Sequence, residues 1–245
     1  MMRSMELRAI IFDRDLTLTN VSVSALTRLE SRLARVVPGI SLGALQALWE
    51  GWTGPWPRSV ADEPAFWEQL CAALAPKHGL DAAAAATLAA ELSAAYPTLF
   101  SAYPDAAPAI IALHEAGLQL AVLTNFELPS VSQTLAHAGL NPELFATALS
   151  AAALGWPKPD PRAFHAAAAA LGLPPAACCL VDDLAENVAA ARSIGMRAYQ
   201  IDRSLSGPTP DGRIGSLLDL IGLLTSHGAG LDPRPHSPSP YDRSP

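Results

Sequence analysis

Short apolar runs alternate with helical patterns through the second half of the sequence, and this alternation constrains the fold more than any other feature. A similar apolar run lies near the N-terminus. Strands that alternate with helices pair in parallel and are covered on both faces, so the pattern predicts an α/β fold with a parallel sheet. The predicted strands are residues 7–12, 118–123, 145–150, 178–181 and 197–201.

Residues 21–96 carry helical patterns with no strand signal between them, including an alanine-rich stretch of high helix propensity. We therefore expect an all-helical insertion, residues 20–97, in a core made of residues 1–19 and 98–227. Residues 228–245 are rich in Gly, Pro, Ser and Arg and offer little apolar surface, so they are predicted to form a disordered tail.

Three tryptophans, Trp49, Trp52 and Trp56, stand close together in the insertion, followed by Arg58. They either line a ligand pocket or form the small core of the insertion. Because large aromatic side chains are usually buried in cores, we favour the second interpretation.

The composition indicates a globular protein, since 50% of the residues are hydrophobic and 16% are charged. A net charge of −7 argues against nucleic-acid binding, which needs basic patches. Three cysteines do not make a disulfide framework and fit a reducing cytoplasm. The apolar run before Asp13 is too short for a signal peptide, and the longest uncharged stretch, residues 166–181, is interrupted by prolines, so no membrane span is expected.

Polar side chains follow four of the strands or lie in the loops beyond them. Any one of these residues alone is explained by a turn, a helix cap or a solvated surface charge. Because the carboxyl ends of parallel strands share one edge of a sheet, we expect all of them to meet in one crevice. They are Asp13 and Asp15, Thr124 and Asn125, Lys158, and Asp182 and Asp183.

The chemistry of this set is coherent. Clustered carboxylates suit Mg²⁺, which prefers oxygen ligands, and a hydroxyl with a lysine suits a phosphoryl group. One carboxylate can attack phosphorus, and a second carboxylate can act as general acid and then as general base. A metal and a lysine would offset the repulsion between an anionic nucleophile and an anionic substrate.

These residues resemble the motifs of the haloacid dehalogenase superfamily, in its phosphatase branch. Asp13, Asp15 and Thr17 match Asp-x-Asp-x-Thr after the first strand, and Thr124 matches the Ser or Thr after the second core strand. Residues 158–161 match Lys-Pro-Asp-Pro. The fourth motif, an acidic pair followed by Asn, is matched by Asp182, Asp183 and Asn187.

The resemblance implies a Rossmann-like core with an inserted helical cap, and a role for each matched residue. Asp13 would be the nucleophile and a metal ligand, and Asp15 the acid/base, which also binds the metal through its backbone carbonyl. Lys158 would neutralise nucleophile and phosphate. Thr124, with Asn125 and Lys158, would bind the phosphoryl oxygens. The metal would be held by Asp13, Asp15 and Asp183, with Thr17, Asp182 and Asn187 in support.

Two residues depart from the family pattern. Leu16 stands where Gly is usual, and Arg14 stands where an apolar residue is commoner. Arg14 either meets a second anionic group of the substrate or is a solvated neighbour, and we favour the solvated neighbour.

The resemblance favours a cytoplasmic, magnesium-dependent phosphatase that acts on a small-molecule phosphate ester. A 2-haloacid dehalogenase, a phosphosugar mutase and a non-catalytic binding module are the competing hypotheses. A dehalogenase needs neither a metal nor an acid at the second carboxylate position, so Asp15 and Asp183 count against it.

Overall fold

A six-stranded parallel sheet forms the centre of the computed structural model, which describes residues 6–226. In chain order the strands are β1 (Ala9–Phe12), β2 (Thr19–Val21), β3 (Phe100–Ala102), β4 (Gln119–Thr124), β5 (Thr147–Ser150), β6 (Cys178–Asp182), β7 (Arg197–Ile201) and β8 (Arg213–Ile214). The order in the sheet is β5-β4-β1-β6-β7-β8. The fold is the α/β class that the sequence predicts.

Strand β1 is buried throughout and pairs with β4 on one side and with β6 on the other. Phe12, its last residue, lies opposite Val122 and Val181. The carboxyl ends of the three central strands therefore lie side by side at one edge of the sheet, where ligands bind in folds of this kind.

Helices cover both faces of the sheet. In chain order the helices are α1 (Val23–Val36), α2 (Leu42–Glu50), α3 (Glu63–His78), α4 (Ala82–Ala95), α5 (Ala106–Glu115), α6 (Val131–His137), α7 (Ala151–Leu154), α8 (Pro161–Ala170), α9 (Ala185–Ser193) and α10 (Leu217–Ser226). The helices that pack against the sheet come from the second half of the chain, α5 to α10. Because side chains alternate along a strand, Ile10 and Phe12 pack with α5, α6 and α10, whereas Ala9 and Ile11 pack with α8 and α9.

Helices α1 to α4 lie between β2 and β3, and they bury a third apolar cluster that also includes Phe100 of β3 and Leu128 of the core. Its centre includes Phe66 and Leu70 of α3 and Leu88 and Leu92 of α4. Strands β2 and β3 pair antiparallel, so the chain leaves the core and returns to it through neighbouring strands.

The sequence predicts five strands, and the structure adds β2, β3 and β8. Each of these has only two or three residues, too few to show a periodic pattern. The predicted tail, residues 228–245, lies outside the described residues.

The three tryptophans of the insertion pack against the third cluster. The ring of Trp49 lies 4.9 Å from that of Trp56 and 5.9 Å from that of Trp67. These contacts agree with the interpretation of the tryptophans as part of a core, but Trp49 also borders a cavity, as the other interpretation expects. Arg58 is exposed.

The cysteine thiols of Cys71, Cys178 and Cys179 are buried and free. Among residues 6–226, no helix has the length and apolar character needed to cross a membrane.

The loop after β1 has a strained turn at Leu16. Its φ of 57° lies in the left-handed region, which a bulky side chain rarely adopts. Two hydrogen bonds keep the loop tight, since the Leu16 N–H donates to the Thr19 carbonyl at 2.7 Å and the Leu18 N–H to the Arg14 carbonyl at 2.9 Å. Gly, which is usual at this position in related motifs, would relieve the strain.

We expect Leu16→Gly to be more stable than Leu16→Ala by about 0.5–1 kcal/mol, because Ala keeps the left-handed strain and Gly removes it. In most contexts the order of these two residues is the reverse. Urea denaturation of both variants tests this expectation, and a more stable Ala variant would contradict the strain assigned to Leu16.

Candidate active site

The structure brings the polar residues at the strand ends together. Asp13 follows β1, Thr124 ends β4, and Asp182 ends β6. Lys158 reaches them from the loop after α7, and all four side chains are buried. The crevice predicted from the strand ends is thus formed by residues that are up to 169 positions apart, Asp13 and Asp182 being the extremes.

The ammonium group of Lys158 joins two of the carboxylates. Its Nζ lies 2.6 Å from Asp13 Oδ1 and 2.6 Å from Asp182 Oδ2. Such a buried lysine is stable only because both partners are charged acceptors at hydrogen-bond distance.

Asn125 holds the backbone of the Lys158 loop in place. The Lys158 N–H donates to Asn125 Oδ1 at 2.7 Å, and Asn125 Nδ2 donates to the Lys158 carbonyl at 2.8 Å. The sequence suggests phosphate binding for Asn125, but in the structure its amide is engaged on both its oxygen and its nitrogen.

The carboxyl end of β6 is held by the loop and the helix α9 that follow it. Asp182 accepts hydrogen bonds from Asn187 Nδ2 at 2.8 Å and from the Leu184 N–H at 3.0 Å. Asp183 is half-buried and borders a cavity of about 290 Å³. With Asp182 occupied by Lys158 and Asn187, the carboxylate of Asp183 is the better placed of the pair to meet a ligand.

Thr17 is buried below this crevice. Its carbonyl accepts a hydrogen bond from Arg203, and its Oγ1 has no partner among the described residues. Thr17 therefore supports the loop through its backbone.

The expectation that Arg14 is solvated is wrong, because its side chain is completely buried. Its Nε and Nη2 donate to both carboxylate oxygens of Asp15 at 2.9–3.2 Å. The guanidinium carbon lies 4.2 Å from the centre of the Phe100 ring and 4.7 Å from that of Phe126. Tyr96 and Thr134 accept from Nη1 at 3.4 and 3.3 Å. A planar cation that stacks on rings and forms a forked ion pair is well suited to a buried site.

Asp15 is therefore held from two sides. Besides Arg14, the hydroxyl of Thr124 donates to Asp15 Oδ2 at 3.2 Å. The side chain of Asp15 remains 38% exposed, so it can reach a ligand in the crevice. Arg14, which sequence reasoning did not assign to the site, is the residue that orients this carboxylate.

Negative charge is in excess at the site. Four carboxylates (Asp13, Asp15, Asp182 and Asp183) face two cations (Arg14 and Lys158), which leaves two negative charges unbalanced. Burial raises the pKa of Asp13 to about 7; the nearby carboxylates add to this, and Lys158 opposes it. Oxygen donors with an excess charge of two fit a divalent cation such as Mg²⁺. Within residues 6–226, however, no three potential ligand side chains already converge on one point.

A cavity of about 520 Å³ opens beside Asp15, between the insertion and the core. Asp15 and Leu16 of the first loop, Trp49 of α2, and Phe126 and Glu127 after β4 are among its lining residues. Its size is typical of small-molecule sites.

Comparison with known proteins places these motifs among relatives. The model of the haloacid dehalogenase-like hydrolases matches residues 7–195. The chain is 34% identical over 229 residues to Phosphatase MT3486 of Mycobacterium tuberculosis (strain CDC 1551 / Oshkosh), a match that covers 91% of this chain and 100% of that protein. It is 33% identical over 212 residues to (S)-2-haloacid dehalogenase 4A of Burkholderia cepacia, covering 82% and 86%.

The fold has counterparts among solved structures. The crystal structure of 2-haloacid dehalogenase from Pseudomonas syringae pv. Tomato DC3000 superposes with a TM-score of 0.66 at 23% identity, covering 91% of this chain and 100% of that chain. At this identity the likeness concerns the fold alone.

The raised pKa of Asp13 predicts a pH-dependent loss of stability in metal-free buffer. Between about pH 4 and pH 7 the unfolded chain releases this proton and the folded chain keeps it, so the free energy of unfolding falls as pH rises. Asp13→Asn cannot ionise, so we expect its free energy of unfolding to vary less with pH than that of the wild type in excess chelator. Denaturation of both proteins at several pH values between about pH 4 and pH 8 measures the two slopes.

Asp105 provides a control of opposite sign. Although burial raises it, hydrogen bonds from Arg203, Ser216 and the Leu217 N–H hold the pKa of Asp105 below its usual range. The stability that Asp105 contributes is present above the pKa of the unfolded chain and is lost as pH falls, so Asp105→Asn should be less stable than the wild type near pH 8. A fall in stability with rising pH that is as steep in Asp13→Asn as in the wild type would contradict the proton that the folded chain is expected to keep on Asp13.

Proposed function

The chain belongs to the haloacid dehalogenase-like hydrolases, and we propose that it is a magnesium-dependent phosphatase of small phosphate monoesters that works through an aspartyl-phosphate. A relative named as a phosphatase, similar over its whole length, supports the reaction type. The proposal includes a reducing compartment such as the cytoplasm, in keeping with three free, buried thiols.

The observation that carries the proposal is the position of Asp15. Its carboxylate accepts a hydrogen bond from Thr124 and borders the cavity of about 520 Å³, and it is close enough to the buried Asp13 for their charges to interact. Loss of an alkoxide needs a proton donor at this position, whereas loss of a halide does not. Although one relative is named as a haloacid dehalogenase, this second carboxylate favours phosphoryl transfer.

In the first step a carboxylate oxygen of Asp13 attacks phosphorus while the bond from phosphorus to the ester oxygen breaks. Asp15, once protonated, gives its proton to the departing alkoxide, which leaves as the alcohol. Lys158 contacts Asp13 and balances the negative charge that Asp13 and the phosphoryl oxygens share. The hydroxyl of Thr124 would bind a phosphoryl oxygen.

In the second step a water molecule attacks the phosphorus of the aspartyl-phosphate. Asp15 removes a proton from this water, the bond from phosphorus to Asp13 breaks, and inorganic phosphate leaves. Asp13 returns as a carboxylate and Asp15 is protonated again, so the net reaction is ester plus water to alcohol plus phosphate.

Asp13, the Asp15 carbonyl and Asp183 are the groups we assign to Mg²⁺ binding. When bound, the cation would supply the two missing positive charges and polarise the phosphoryl oxygens. Asp182 and Asn187 keep the adjacent loop in position.

We expect hydrolysis of p-nitrophenyl phosphate with Mg²⁺, loss of activity in excess chelator and recovery when Mg²⁺ is restored, because the site carries excess negative charge. Asp13→Asn should reduce kcat at least about 1,000-fold while circular dichroism stays unchanged, since an amide is a poor nucleophile. Full activity in chelator would refute the metal assignment, and near wild-type turnover by Asp13→Asn would refute the nucleophile.

Asp15→Asn should slow an alkyl phosphate far more than an aryl phosphate with a good leaving group, because only the alkoxide depends on a proton. We expect a loss of about 100-fold or more for the alkyl ester. Halide release from a 2-haloacid is measured on the wild type in parallel. Equal losses on both esters would contradict the acid/base role of Asp15, and metal-independent halide release would favour the dehalogenase hypothesis.

A further inference from the structure

The cavity beside Asp15 carries information about the leaving group. If Asp15 protonates the ester oxygen, the alcohol part of the substrate must lie on the Asp15 side of the site. This step rests on the proposed function. The cavity of about 520 Å³ that Asp15 borders is therefore the place for the leaving group, whereas the smaller cavity at Asp183 does not include Asp15.

The wall of this cavity is mainly apolar and partly aromatic. Five of its nine lining residues are Leu16, Val21, Trp49, Phe100 and Phe126. The Trp49 and Phe126 rings lie 5.5 Å apart, and they come from the insertion and from the core respectively. A strongly hydrated or sugar-like leaving group would find few hydrogen-bond partners against these rings.

The only formal charges on this wall are negative. None of its described lining residues is Lys, Arg or His, and the two charged ones are Asp15 and Glu127. Asp15 is balanced by Arg14. No ion pair within residues 6–226 involves Glu127, and Arg14 acts on its carboxylate only from beyond ion-pair distance.

Glu127 is half-buried and lines the cavity together with Trp49 and Phe126. Burial raises the pKa of Glu127, and Trp49 and Arg14 counter part of the rise. An ammonium group in the cavity would compensate the Glu127 carboxylate for the hydration that it loses by burial. Aromatic rings attract cations through their faces, and these rings already hold one, since Phe100 and Phe126 enclose the guanidinium of Arg14.

We propose that the leaving group of the substrate carries an ammonium ion, received in this cavity by the Trp49 and Phe126 rings and the carboxylate of Glu127. The substrate class is a phosphate monoester of an amino alcohol, including quaternary ammonium alcohols. Hydrolysis releases the amino alcohol and inorganic phosphate. A leaving group with a carboxylate would be repelled by Glu127.

A pair of isosteric esters tests this assignment. Phosphocholine and 3,3-dimethylbutyl phosphate have the same shape, but only the first has a positive charge. With Mg²⁺ present, kcat/KM should be about tenfold higher for phosphocholine, the order of one desolvated cation–π contact supported by a carboxylate. Phosphoglycolate should be the poorest substrate, and p-nitrophenyl phosphate reports the phosphatase activity itself.

Glu127→Gln should lower the ratio of the two kcat/KM values to the part that the Trp49 and Phe126 rings supply. Both esters are measured on one preparation, so a partly unfolded sample does not affect this ratio. Glu143→Gln, an exposed position outside the site, is the matched control and should keep the wild-type ratio.

Each other outcome overturns a defined statement. Equal or better hydrolysis of the neutral isostere, or activity on p-nitrophenyl phosphate with none on either ester, overturns the ammonium assignment alone. A phosphocholine preference that is unchanged in Glu127→Gln overturns the role of Glu127. No hydrolysis of any ester overturns the proposed function and the substrate class with it.

Discussion

The buried contact of Lys158 with Asp13 and Asp182 is the interaction on which the rest of the site depends. It joins the ends of β1 and β6 to the loop between α7 and α8, and all three side chains are buried. A lysine in such a place requires its two carboxylates, and the carboxylates are tolerable only with the lysine. The parallel sheet supplies the geometry, because its central strands end side by side.

Arg14 extends this charge pattern towards the insertion. Its guanidinium contacts Asp15, which belongs to the core loop, and it also stacks on Phe100 and bonds to Tyr96, which lie where the insertion ends. One buried side chain thus sets the orientation of the proposed acid/base and anchors the aromatic wall beside it. A substitution in that wall would therefore alter the orientation of Asp15, because Arg14 contacts both.

The sequence predicts the larger part of the fold because long apolar runs and helical spacing are local signals. It also predicts which strand ends meet, since parallel pairing places all carboxyl ends at one edge. Arg14 shows where local reasoning stops. A charged residue is normally exposed, and its partners Phe100 and Phe126 are far away in sequence, so no pattern near Arg14 announces its burial. The place of Glu127 in the cavity could not be predicted for the same reason, because its neighbour Trp49 is distant in sequence and belongs to the insertion.

The antiparallel pairing of β2 with β3 has a consequence for how such proteins diversify. Val21 lies opposite Phe100, so the two ends of the insertion are separated by about one strand spacing, roughly 5 Å. A module that departs and returns at adjacent points can be exchanged for another by recombination without shifting the register of the central sheet. Recognition by the insertion can therefore change while the strand ends keep their geometry, provided that Arg14 keeps its contacts with Tyr96 and Phe100.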